Sequence, residues 1–81
     1  MSRDLRQRVH DLDVTVWVGK SGIDPVVDEL DDQLRDRDAV KLKFLRAARG
    51  TDSTEALAAD LADRIGAELV DVRGHTAVVH R

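Results

Sequence analysis

Four consecutive residues, Gly19-Lys20-Ser21-Gly22, hold the spacing with the clearest chemistry in this 81-residue chain. A Gly-x-x-Gly turn lets a phosphate come close to the backbone, because no Cβ stands in the way. If a helix follows, its free N–H groups and the positive end of its dipole point to the same place. KH domains clamp the backbone of a few nucleotides with a loop of this kind. Gly19 and Gly22 would shape such a site, while Lys20 adds a cation and Ser21 a hydroxyl donor. The competing reading is a plain strand-to-helix turn, since the four-residue pattern is common by chance. Asp24 opposes an anion just downstream, so a phosphate is expected to dock on the loop amides and Lys20, upstream of it.

A second group of cations lies further along. Residues 41–49 hold Lys41, Lys43, Arg46 and Arg49 and no acid. Arg3, Arg6 and Arg8 form a weaker basic group near the start. Such clusters are the electrostatic footprint of nucleic-acid binders. They are equally consistent with a solvated strand face and loop, where Lys discourages edge-to-edge pairing. Residues 24–38 are the opposite, with seven acids against two arginines. Formal net charge is −3. That balance does not exclude an anionic partner, because screening limits the reach of charge to about 10 Å at 0.1 M salt. Glu occurs only at 29, 55 and 68 and Lys only at 20, 41 and 43. Abundant Asp with scarce Lys resembles the surface of proteins from salt-loving cytoplasms.

Other chemistries find little support. The chain has no cysteine, so disulfides, thiolate metal sites and Cys nucleophiles are excluded. His10, His75 and His80 show no recognised zinc spacing. The acidic run lacks the pattern of a calcium loop. No cofactor is expected, and no Ser/His/Asp constellation can be argued from spacing, so catalysis and a small-molecule substrate are not expected either. No apolar run approaches the ~20 residues of a membrane helix. Met1-Ser2-Arg3-Asp4 carries no apolar signal core, which makes the cytoplasm the expected location.

The elements that must position these residues read clearly. Residues 2–11 have the spacing of a short polar helix. Val14 to Val18 is a strand, with Val14, Val16 and Val18 expected on one face. A helix follows to about Arg37, with Asp24 at its N-cap and Pro25 at N1. Ile23, Val27, Leu30 and Leu34 form its apolar stripe. Ala39 to Leu45 is a strand with Val40, Leu42 and Phe44 on one face and Lys41 and Lys43 on the other. Residues 46–52 read as a loop. A second helix starts after Asp52, with Glu55 three residues on in a variant capping box. Leu57, Leu61 and Ile65 form its stripe, and Gly66 stops it. Strands 68–72 and 76–80 close the chain around Arg73-Gly74-His75.

The order is an N-terminal helix and then βαβαββ, one domain over residues 1–81. The fold class is a two-layer α/β domain with a four-stranded mixed sheet and its helices mainly on one face. The opposite face is expected to carry Thr15, Trp17, Lys41 and Lys43. Trp17 and Phe44 are the only aromatic residues. Trp17 is expected to complete the core beneath the N-terminal helix rather than to stack on a base.

Taken in order, the Val18–Ile23 stretch, the Val40–Phe44 strand, the Leu57–Gly66 helix and the closing strand ending in Arg81 resemble the CRS1–YhbY (CRM) domain, whose stand-alone bacterial case is YhbY. The resemblance implies a fold similar to the C-terminal domain of translation initiation factor 3, no cofactor and no catalysis. It implies RNA binding, with structured ribosomal RNA or a pre-ribosomal subunit as partner. Gly19, Lys20, Ser21, Gly22, Lys41, Lys43, Arg46 and Arg49 are the candidate RNA contacts. This chain departs from the basic character of the small stand-alone members. The alternative reading is a protein-interaction adaptor that docks through its acidic helix, residues 25–37.

Overall fold

The computed structural model describes residues 12–50 and 52–81. The helix expected over residues 2–11, with Arg3, Arg6, Arg8 and His10, lies outside the described residues. Strand β1 is Val14–Val18. A 3-10 turn, Asp24–Val26, leads into α1, Val27–Asp36. β2 is Ala39–Phe44, α2 is the single turn Arg46–Arg49, and α3 is Thr54–Arg64. β3, Glu68–Arg73, and β4, Thr76–His80, complete the order.

The sheet runs β1-β2-β4-β3. β1 and β2 are parallel, and β4 is inserted between β2 and β3, antiparallel to both. β3 therefore points the same way as β1 and β2. The carboxyl ends of three strands meet at one end of the sheet, the end where ligands dock in open α/β sheets.

The core lies between one sheet face and the two long helices. Val16, Val18, Val40, Leu42, Phe44, Ala77 and Val79 from the strands meet Leu30 and Leu34 of α1 and Ala58, Leu61 and Ala62 of α3. With one Phe and no other aromatic residue in it, this core is aliphatic, as the composition predicts. On the other face, among the described residues, a small apolar patch lies at one end, where Ala39 and Val78 pack with Leu12 and Val70.

Two bulges interrupt the alternation. In β1, Val14 pairs with Lys41 and Val16 with Leu42, so Thr15 is the extra residue. Val14 therefore stands opposite Lys41 rather than in the core with Val16 and Val18, and Thr15 does not join Trp17, Lys41 and Lys43 as the alternation predicts. The reason is Gln33 of α1. The Thr15 hydroxyl donates to Gln33 Oε1 at 2.6 Å, and Gln33 Nε2 donates to the Thr15 carbonyl at 3.3 Å. In β3, Leu69 pairs with Val79 and Asp71 with Val78, which makes Val70 the extra residue.

The helix ends correct the sequence reading in three places. Asp24 is not an N-cap: the 3-10 turn has Ile23 at its cap position with no side-chain hydrogen bond, and the Asp24 carboxylate pairs with Arg64 of α3. The cap of α3 is Ser53, whose Oγ accepts from the Ala56 N–H at 3.0 Å, so Asp52 and Glu55 form no capping box. The first part of the expected 46–52 loop is the turn α2. The stop at Gly66 is as read: Ala67 N–H donates to Ala62 O at 2.8 Å and Gly66 N–H to Asp63 O at 3.3 Å, with Gly66 at φ +66. This is a Schellman ending.

Arg81, after the last strand, ties the layers together. Its guanidinium pairs with the Asp31 carboxylate of α1, and donates to the Asp31 carbonyl at 3.2 Å and to the Ile65 carbonyl at 3.1 Å.

Candidate nucleic-acid interface

The Gly19–Gly22 loop begins where β1 ends. Gly22 N–H donates to Gly19 O at 3.0 Å, which closes a four-residue turn. Lys20 and Ser21 form its exposed tip, and neither has positive φ. Gly22 sits at φ +80, a conformation L side chains resist, so the fold itself requires glycine there. Gly19 is different. It has no positive φ, and a Cβ built on it would meet nothing within 4 Å. Nothing among the described residues explains a glycine at this position. An incoming group that packs against bare backbone would explain it.

The second basic group starts beside the first. Leu45 N–H donates to Val18 O at 2.9 Å, so the segments that leave β1 and β2 are fastened together. Arg46 follows directly and is exposed. Arg49 is half-buried, and its Nε is a buried donor with no partner among the described residues. Such a group costs free energy until something accepts from it. Lys43 and Lys41 lie on the sheet face away from the helices, Lys43 exposed and Lys41 half-buried. Phe44 N–H donates to His75 O at 2.8 Å, which draws the β3–β4 turn to the same end. Arg73 and His75 thus join the rim of the site. Sequence reasoning missed them there, because the insertion of β4 between β2 and β3 brings them in.

Among the described residues the cations divide into two sets. Arg35, Arg64, Arg73 and Arg81 are each paired with aspartates. Lys20, Lys41, Lys43, Arg46 and Arg49 make no ion pair with any described residue, and the same is true of Arg37. All five candidate cations therefore keep their charge available to an outside anion. Arg64 is the contrasting case: the hydrogen bond it donates to the Asp24 carboxylate comes first, and the charge of Asp60 adds to it, holding the guanidinium more firmly protonated than usual. That pairing also answers the objection raised by Asp24. Its carboxylate is neutralised by Arg64 instead of capping the turn beside the loop.

Trp17 is on the sheet face that the alternation predicts, but not in the core; the N-terminal helix expected above it lies outside the described residues. Trp17 stands 55% exposed on the face away from the helices. The acidic helix is partly occupied by internal partners. Asp31 pairs with Arg81 and Arg35, Asp32 with Arg35, and Glu29 accepts from Gln33 at 3.3 Å.

The whole chain, residues 1–81, matches the description of the CRS1 / YhbY (CRM) domain. The chain belongs to this family. Among curated proteins it is 40% identical over 81 residues to the "Probable RNA-binding protein MJ0652" of Methanocaldococcus jannaschii. That match covers all of this chain and 60% of the length of the relative. Among solved structures, its fold is similar to the solution structure of SAV1595 from Staphylococcus aureus, a hypothetical protein described as a candidate RNA binder. The TM-score is 0.79 at 31% identity, over 98% of this chain and 81% of the other. The four-stranded mixed sheet with its helices is thus a CRM fold, and the Gly19–Gly22 turn occupies the β1-to-helix connection of that fold.

Proposed function

We propose that this CRM domain is a non-catalytic RNA-binding module. A backbone phosphate docks on the amides of the Gly19–Gly22 turn, with Lys20 and Ser21 in contact. Lys41, Lys43, Arg46 and Arg49 extend the contact along the strand ends and the open sheet face. The observation that carries this reading is a run of five cations, none paired with a described residue, from Lys20 in the glycine turn through Arg46 and Arg49 on the adjoining segment that leaves β2 to Lys43 and Lys41 along the β2 sheet face. The names given to its relatives point to the same class of ligand. Structured ribosomal RNA or a pre-ribosomal subunit is the target that the family resemblance implies, and the cytoplasm is the compartment where it would be met.

The test is fluorescence anisotropy with structured ribosomal RNA fragments across a salt series, for the unmodified chain and Lys20→Ala. Affinity should fall steeply as salt rises, because binding releases condensed counterions. Lys20→Ala should weaken binding and lower the salt slope by about one. Binding that is insensitive to salt, or equal without Lys20, would reduce the loop to a turn.

A further inference from the structure

The open sheet face has two unlike ends. Near Ala39 and Val78 it is closed by Leu12 and Val70. At the carboxyl ends of the strands no described residue closes it. There Trp17 is 55% exposed, and its partner across the strands is Lys43, also exposed. Lys43 in turn is paired across with Thr76, and Thr76 with Arg73. One row across the sheet thus reads Trp17, Lys43, Thr76, Arg73, an aromatic ring followed by a cation and polar groups.

A large exposed aromatic side chain leaves apolar area in water, and a fold with only two aromatic residues uses the other, Phe44, fully inside. The ring belongs to the residue two positions before Gly19. Strand geometry puts the two about 7 Å apart along the chain. A base next to a phosphate held at the loop therefore reaches the ring, and Lys43 beside it faces the anionic backbone of the same strand. Every base has a π-face, so stacking on an aromatic ring is tolerant of sequence.

We infer that Trp17 and Lys43 form a stacking platform for one unpaired base of the RNA, adjacent to the phosphate bound at Gly19–Gly22. The ligand class is RNA with a single-stranded nucleotide next to its contact point, such as a loop, bulge or end, where bases are free to stack. Duplex RNA without such a nucleotide lacks the stacked partner. This inference rests on the RNA-binding reading above, and commits to RNA rather than to a second copy of the chain as the occupant of the Trp17 face.

The experiment uses a hairpin RNA bound by the chain in the anisotropy assay, and the same hairpin with abasic sites in its loop. Trp17 is the only tryptophan, so its emission reports the platform directly. The intact hairpin should quench it. Trp17→Ala should lose on the order of tenfold in affinity, and Trp17→Phe much less. The abasic hairpin should bind the unmodified chain as weakly as the intact one binds Trp17→Ala, and the two losses should not add. Circular dichroism of both variants establishes that they fold.

If affinity falls with Lys20→Ala but is unmoved by Trp17→Ala and by abasic sites, the platform is wrong while the loop stands. If the unmodified chain binds no RNA, both fail together. If Trp17 emission instead changes with protein concentration alone, and sedimentation shows self-association lost in Trp17→Ala, the occupant is a second copy and the inference is overturned.

Discussion

The two glycines of the loop are placed under different constraints, and they can be separated. Gly22 needs its positive φ to close the turn. Gly22→Ala should therefore lower stability by roughly 1–2 kcal/mol, the cost of forcing an L residue into that region, readable as a lower urea midpoint. Gly19 needs neither positive φ nor space inside the chain. Gly19→Ala should leave the urea midpoint unchanged or raise it slightly, because alanine has less freedom to lose on folding. Its effect should fall on RNA affinity, through the methyl group placed where a phosphate approaches. A stable Gly19→Ala protein that binds RNA normally would remove the close approach from the mechanism. Both glycines stand out equally in the sequence; only the backbone conformation tells them apart.

At the level of elements, the caps illustrate what local pattern conveys and what it does not. Ser53 is the N-cap of α3. Ser53→Ala should cost about 1 kcal/mol, and Asp52→Ala should cost far less, as measured by denaturant melts. Two acceptors in adjacent positions are close to degenerate in sequence, and the choice depends on how the chain leaves α2. The periodic stripes of α1 and α3 and the alternation of β2 were legible because each reflects one buried face. The bulge at Thr15 was not, because it depends on Gln33, eighteen residues away. The place of β4 was not legible either: a hairpin fixes that β3 and β4 are neighbours, not that β4 sits against β2. The candidate cations and the loop were readable as residue types. Their freedom from internal pairing was not, since it turns on which aspartates find Arg64, Arg73 and Arg81. The side of the sheet taken by Trp17 followed from alternation, whereas its exposure depends on what the rest of the fold covers.

For the molecule as a whole, the Arg81–Asp31 pair joins the last strand to α1. The hydrogen bond from Arg81 is the main influence that holds the Asp31 carboxyl below its ordinary value of 3.8, with the charges of Arg81 and Arg35 acting in the same direction. A carboxyl whose value is depressed by folding stabilises the fold fully above its unfolded value. That contribution is lost as pH falls through the folded value. Asp31→Asn should therefore be less stable than the unmodified chain at neutral pH. The gap in urea midpoint should narrow as pH drops below about 4, where the unfolded carboxyl begins to protonate. A gap that stays constant down to pH 2.5 would show that the pair does not contribute through its charge. The same pair makes Asp31 a poor probe of the acidic helix as a docking surface, because its loss disturbs the fold; Asp28 and Asp36, which pair with no described residue, are the cleaner positions.

Both outer strands of the sheet, β1 and β3, carry a bulge, and the one in β1 is pinned by a side chain from the helix layer. A straight outer strand is a template on which another chain can add its own backbone, and repetition of that step builds fibres. Here one border breaks register at Thr15 and has its carbonyl already taken by Gln33, while the other breaks register at Val70. Along its described borders the domain is thereby guarded against polymerising, with Trp17 exposed on the sheet face between them.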